Sequence, residues 1–119
     1  MNNKDLANTP HFAALEKFID GVNKLKADYW TKMDFTFNSP GKVMVHSVGP
    51  RYAKLAAFEQ MPAHTGPYKA NSVYCFFDIA SGDLIKGTWK APVAKGVRGN
   101  VNDRDVIKFF NQHGPAYLR

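Results

Sequence analysis

Ser72-Val-Tyr-Cys-Phe-Phe-Asp-Ile-Ala-Ser-Gly-Asp-Leu-Ile-Lys-Gly-Thr-Trp-Lys-Ala-Pro-Val-Ala-Lys-Gly-Val-Arg-Gly-Asn-Val101 is the stretch on which the fold of this chain turns. Residues 72–79 are rich in aromatic and β-branched side chains, the composition of a pleated, half-buried strand. Residues 80–83, Ala-Ser-Gly-Asp, close a hairpin, with Gly82 free to take a positive φ. Residues 84–89 return. Residues 90–100 carry Pro92, Gly96 and Gly99, and read as an irregular basic loop. Parity along the first strand puts Val73, Cys75, Phe77 and Ile79 on one face and Tyr74, Phe76 and Asp78 on the other. The first set is uniformly apolar and is expected to face the core.

Upstream of the hairpin the period of the apolar residues changes twice. Thr9-Pro10 reads as a helix start, with Thr as cap and Pro in the first turn. Phe12, Leu15, Ile19, Val22 and Leu25 then recur at spacings of three and four, which predicts an amphipathic helix over 10–29. From Met33 the period drops to two, predicting a strand over 33–37. Residues 42–48 predict another. Residues 51–58 allow either a strand or a short helix. If they form a strand, Tyr52 and Phe58 can share the face of Tyr74 and Phe76. Two prolines and a glycine make 61–67 a loop. Asn102-Asp103 reads as the cap of a short C-terminal helix reaching about residue 112, with Gly114-Pro115 stopping it. The expected architecture is α+β: an N-terminal amphipathic helix, about five antiparallel strands in hairpins and a short C-terminal helix, all in one domain over 1–119.

The 119 residues carry 16 Lys and Arg against 10 Asp and Glu, a net charge of +6. The excess is not evenly spread. Residues 1–31 are neutral, 32–83 carry +1 and 84–119 carry +5. Such asymmetry suggests a polyanionic partner. The N-terminus has no apolar targeting segment, and no apolar run approaches the roughly 18 residues of a membrane span, so a soluble, unexported protein is expected. The single cysteine, Cys75, excludes an internal disulfide and reads as a small buried hydrophobe.

Catalytic and metal-binding signatures are missing. The four histidines stand alone, without a second His or Cys at a ligand spacing. The Lys95-Gly-Val-Arg-Gly99 run lacks the strand and helix that make a phosphate loop. No nucleophile has a visible activating partner. Neither an enzyme, a metal site nor a cofactor is expected. What remains is a combination suited to unpaired nucleic acid: aromatic faces on which bases stack, and cations for phosphates. Tyr74, Phe76 and Trp89 are the candidate stacking residues. Lys86, Lys90, Lys95 and Arg98 are the candidate phosphate contacts. Duplex DNA fits less well, because no basic recognition helix is visible.

The same hairpin, its Gly82-Asp83 turn, the following Trp89-Lys-Ala-Pro-Val-Ala-Lys95 and Arg98-Gly-Asn100, and the terminal Gly114-Pro-Ala-Tyr-Leu-Arg119 resemble a family of small proteins encoded by tailed bacteriophages. The likeness covers about a third of the chain and departs from the family motif in inserting Val93 after Pro92. In size and character the chain is also similar to phage single-stranded-DNA-binding cofactors of RNA polymerase. The resemblance implies a viral protein in the bacterial host cytoplasm, binding single-stranded DNA (RNA being the alternative) in transcription or replication, with a phage RNA polymerase as partner. By analogy with small single-strand binders, a homo-oligomer is expected. The competing expectation is a protein–protein module, a virion component or an inhibitor of a host enzyme.

Overall fold

A computed structural model describes residues 6–32, 41–60, 65–111 and 114–115. The helix is α1, Phe12–Lys32. Five strands follow: β1 (Lys42–Val48), β2 (Tyr52–Gln60), β3 (Tyr68–Asp78), β4 (Asp83–Gly87) and β5 (Pro92–Asn100). They form one antiparallel sheet in the order β1-β2-β3-β4-β5, each strand beside its neighbour in sequence. The α+β expectation therefore holds. Among the described residues no helix is long and apolar enough to cross a membrane.

The helix covers one face of the sheet. Leu15, Phe18 and Val22 pack on Val43, Ala53, Leu55, Cys75, Phe77 and Leu84. Phe12 and Ile19, expected in the apolar stripe, are only partly buried and pack against the edge of the core. Asn23 adds a polar attachment. Its side-chain oxygen accepts the Val43 N–H at 2.7 Å, and its amide donates to the Val43 carbonyl at 3.1 Å. Val43 lies on an edge strand, so this side chain supplies both bonds that a further strand would offer there.

Thr9 does not cap the helix. Its hydroxyl donates to the Leu6 carbonyl at 2.7 Å and closes the preceding turn. The tie at the helix start is His11. Its Nδ1 accepts from the Asn102 amide at 2.9 Å, which leaves Nε2 as the donor to the Ala80 carbonyl at 3.1 Å.

Of the two forms allowed for residues 51–58, the structure has the strand, Tyr52–Gln60. Two further expectations are corrected. Residues 92–100 are a strand rather than a loop, because an edge position tolerates proline and glycine and the register slips at Arg98 and again between Pro92 and Val97. The C-terminal helix reduces to a 3-10 turn, Val106–Phe109. Its Asp105 offers no side-chain cap. The chain then extends as Phe110–Asn111, paired with Gly114–Pro115. The core accounts for this: Val106 and Phe110 are both buried, and Phe110 meets Phe18 edge-on at 4.9 Å and stacks on Tyr74 at 6.1 Å. The strand expected over 33–37 lies outside the described residues.

The β3–β4 turn is fastened from three sides. One oxygen of Asp78 accepts the N–H groups of Ala80 and Ser81, and the other faces Arg51 at 3.5 Å. Asn100 donates to the Ser81 carbonyl at 2.9 Å and to Asp83 at 3.0 Å. Gly82 sits at φ +82, and a Cβ there would meet Asn102 at 3.0 Å and His11 at 3.3 Å. The turn thus demands glycine for both conformation and space.

Replacing Asn100 with Ala removes two donors and an acceptor at once. It is expected to cost about 2 kcal/mol and to lower Tm by roughly 5–10 °C, measured by calorimetry. Burial also pushes the Cys75 thiol and the Tyr74 phenol well above their ordinary values. Both folded-state values are raised, so the fold favours the neutral forms. That contribution is whole below about pH 8.5 and is lost progressively through about pH 10 and beyond. Alkaline melts should show Tm falling across that range, more shallowly in Tyr74→Phe.

Candidate nucleic-acid interface

The sheet face opposite α1 gathers cations and aromatic rings. The side chains of a strand alternate between faces, and residues paired across strands share one. On β2 this puts Tyr52, Lys54, Ala56, Phe58 and Gln60 on the outer face. Their register partners Lys42 on β1 and Phe76 and Tyr68 on β3 lie there too. Rings and cations meet along the whole row. Lys42 Nζ lies 4.9 Å from the Tyr68 ring centroid, and Arg51 lies 4.9 Å from that of Tyr52. Lys54 Nζ lies 4.4 Å from Trp89 and 5.9 Å from Phe76. Tyr52 meets Phe76 edge-on at 6.4 Å. His46, the extra residue where the β1–β2 register slips, stands 4.9 Å from Trp89 and 6.2 Å from Phe58.

Trp89 reaches this row because the turn after β4 folds back over the sheet. Neighbouring strands are about 4.8 Å apart, so a residue just beyond β4 touches His46 on β1 only by crossing β3 and β2. Gly87 permits the crossing. A Cβ there would stand 2.4 Å from the Phe76 ring. The turn itself is closed by the Thr88 N–H on the Ala91 carbonyl at 2.9 Å. Trp89 stays 44% exposed, one of the two large hydrophobic side chains exposed among the described residues, the other being Val97.

Beside the turn lies an open cleft of about 300 Å³, with Arg51, Lys54 and Lys90 around Tyr52, Phe76 and Pro92. No acid lines it among the described residues. Asp78 neutralises part of Arg51 from the turn behind. Among the described residues no group of His, Cys, Asp or Glu is placed to hold a metal ion.

The structure brings together only part of the set expected from sequence. Phe76 and Lys90 line the cleft, and Trp89 is joined to it through the Lys54 ammonium, which lies near both rings. Tyr74 does not join them. It is 4% exposed and belongs to the helix-side core. The cause is a slip in register: Leu55 pairs with Cys75 and Ala56 with Val73, leaving Tyr74 as an extra residue. A bulge breaks the alternation, so Tyr74 turns inward and Val73, expected in the core, pairs on the outer face. Phe76 keeps its expected face, but the folded-back turn leaves it 5% exposed, so it floors the cleft rather than presenting a free ring.

Lys86 follows Ile85, the outer-face partner of Phe76, and by alternation lies on the helix side. Arg98 is another extra residue at a register slip. Its Nη1 donates to the Val97 carbonyl at 3.4 Å, while its buried Nε has no hydrogen-bond partner. The side chain of Lys95 lies outside the described residues. Lys42, His46, Arg51, Lys54 and Tyr68 were missed by sequence reasoning. They are scattered over 27 residues without local density of charge, and only the strand pairing assembles them.

No protein-family model, no curated protein and no solved structure matches this chain. One support of the outer face can be tested without a ligand. Gly87→Ala drives a methyl group into the Phe76 ring and is expected to cost about 1–3 kcal/mol, read as a lowered denaturation midpoint.

Proposed function

We propose that this chain binds single-stranded nucleic acid along the outer face of its sheet. The observation that carries the reading is the row of cation–aromatic contacts beside a cleft lined, among the described residues, by three cations and no acid. The row follows β2 from Tyr52 to Gln60, about 26 Å at the usual rise per residue. That is room for several nucleotides of an extended strand. Phosphates fit Arg51, Lys54, Lys90 and Lys42, and unstacked bases fit Trp89, Tyr52 and Tyr68. A duplex offers its phosphates to such a face but hides the faces of its bases, so stacking favours single strands. The net charge of +6 supports attraction to a polyanion at long range.

The likeness to phage proteins supports a role in phage transcription, as a cofactor of a phage RNA polymerase, or in replication, within the host bacterium. The residues behind that likeness divide in two. Gly82, Asp83 and Asn100 hold the β3–β4 turn. Lys90 and Pro92 line the cleft, and Trp89 meets the Lys54 side chain that lines it. A homo-oligomer would lengthen the track, and its mass is readable by light scattering.

A fluorescent dT30 should raise anisotropy on binding, with affinity falling steeply as salt increases, because bound phosphates release counterions. Trp89→Ala should weaken binding by about 5- to 100-fold, the worth of one stacked base. Lys90→Glu should weaken it at low salt and flatten the salt dependence. Tyr74→Phe should leave it unchanged. Absence of binding by the wild type at low salt, together with a protein partner that survives nuclease treatment, would instead identify a protein–protein module.

A further inference from the structure

We infer that Lys54 occupies the ring of Trp89 as a stand-in for a nucleobase, and releases it only to a ligand that supplies a phosphate beside its base. This rests on the reading above and assigns Lys54 the selection of nucleotides over other anions and other aromatic molecules. The Lys54 ammonium lies 4.4 Å from the Trp89 centroid and 5.9 Å from that of Phe76. Lys54 pairs with Phe76 across β2 and β3, so its stem starts at the floor of the cleft and its charge ends against the ring above. Among the described residues no carboxylate pairs with it. Two aromatic faces therefore carry the interaction. An ammonium on an aromatic face is held by the ring quadrupole, a contact weaker than its pairing with an oxyanion.

Lys54 also lines the cleft with Arg51 and Lys90, so the ammonium over the Trp89 ring belongs to the same cluster of cations. A base that stacks there must first displace the ammonium. A lone base displaces it without offering a new partner. A bare polyanion draws it away without filling the ring. A nucleotide does both, since its phosphate takes the ammonium while its base takes the ring. Stacking and charge pairing are thereby coupled through one flexible side chain. His46, whose ring meets the Trp89 ring at 64° and 4.9 Å, steadies the indole while the exchange takes place.

The test is the salt dependence of dT30 anisotropy for the wild type, Lys54→Ala, Trp89→Ala and the double variant. At low salt Lys54→Ala should bind more weakly, with the log–log slope reduced by about 0.7 for one lost phosphate contact on a single strand. At high salt, where the charge contributes little, it should bind about two- to fivefold tighter than the wild type, because the ring is already free. The two lines should cross. In the Trp89→Ala background, Lys54→Ala should only weaken binding. Lines that converge without crossing would reduce Lys54 to a simple phosphate contact and overturn the inference while leaving single-strand binding intact. No binding by the wild type at low salt would remove both. NMR of the wild type reads the exchange directly, whatever the stability of the variants. The Lys54 Hε protons should be shifted upfield by the Trp89 ring in the free protein, and return to ordinary positions when dT30 is added but the ring current should persist with thymidine alone. Unshifted protons in the free protein would overturn the inference.

Discussion

Asn100 is the residue on which the arrangement of this molecule depends most. Its side-chain amide binds the Ser81 carbonyl and the Asp83 carboxylate, and its side-chain oxygen accepts from the backbone and side chain of Asn102. Asn102 in turn reaches His11 beside the start of the helix. One short chain of hydrogen bonds therefore joins the β3–β4 turn, the end of β5 and the start of α1. These segments are far apart in sequence, and each bond closes a loop whose entropy has already been lost through the others. Such bonds act as a group more strongly than singly.

That fastening makes the rest of the sheet possible. With the far end of β5 held against Asp83, the Gly- and Pro-containing segment before it is drawn alongside β4 as a strand. The turn between β4 and β5 then has a definite position and folds over Phe76, placing Trp89 above β2. The register slips give the sheet its division of labour. The slip at Tyr74 sends a large ring into the core, against Phe110. The slip at His46 accompanies a ring set beside Trp89. Each changes which face a side chain serves without changing the order of the strands.

The outer face is built differently from the core. Core rings are buried among aliphatic side chains, whereas outer rings are covered in part by the stems and charges of Lys42, Arg51 and Lys54. Cations over rings keep an aromatic surface in contact with water without presenting one continuous apolar patch, which would invite aggregation. Under the proposed function, such a surface would release its cations to phosphates and its rings to bases.

The sequence by itself determined the helix from its 3.6-residue period, the β1 and β3 strands from their composition, the need for glycine at position 82, the burial of Cys75 and the concentration of charge in the last third. These are properties of contiguous residues, decided by local backbone preference and hydrophobic periodicity. It also pointed to Phe76, Trp89 and Lys90, since aromatic and basic residues crowd together there in the chain. Only the tertiary structure decided the rest. Tyr74 changed face because one extra residue in β3 broke an alternation that parity counting assumes to be unbroken. Residues 92–100 became a strand because Asn100 is tied to the preceding turn, and the C-terminal segment gave up its helix because Val106 and Phe110 are both drawn into the core. Lys54, the residue now placed at the centre of the candidate interface, has no local signal at all. It stands alone between Ala53 and Leu55, and it acquires its rings from β3 and the β4–β5 turn through pairing across the sheet, which no window of neighbouring residues contains.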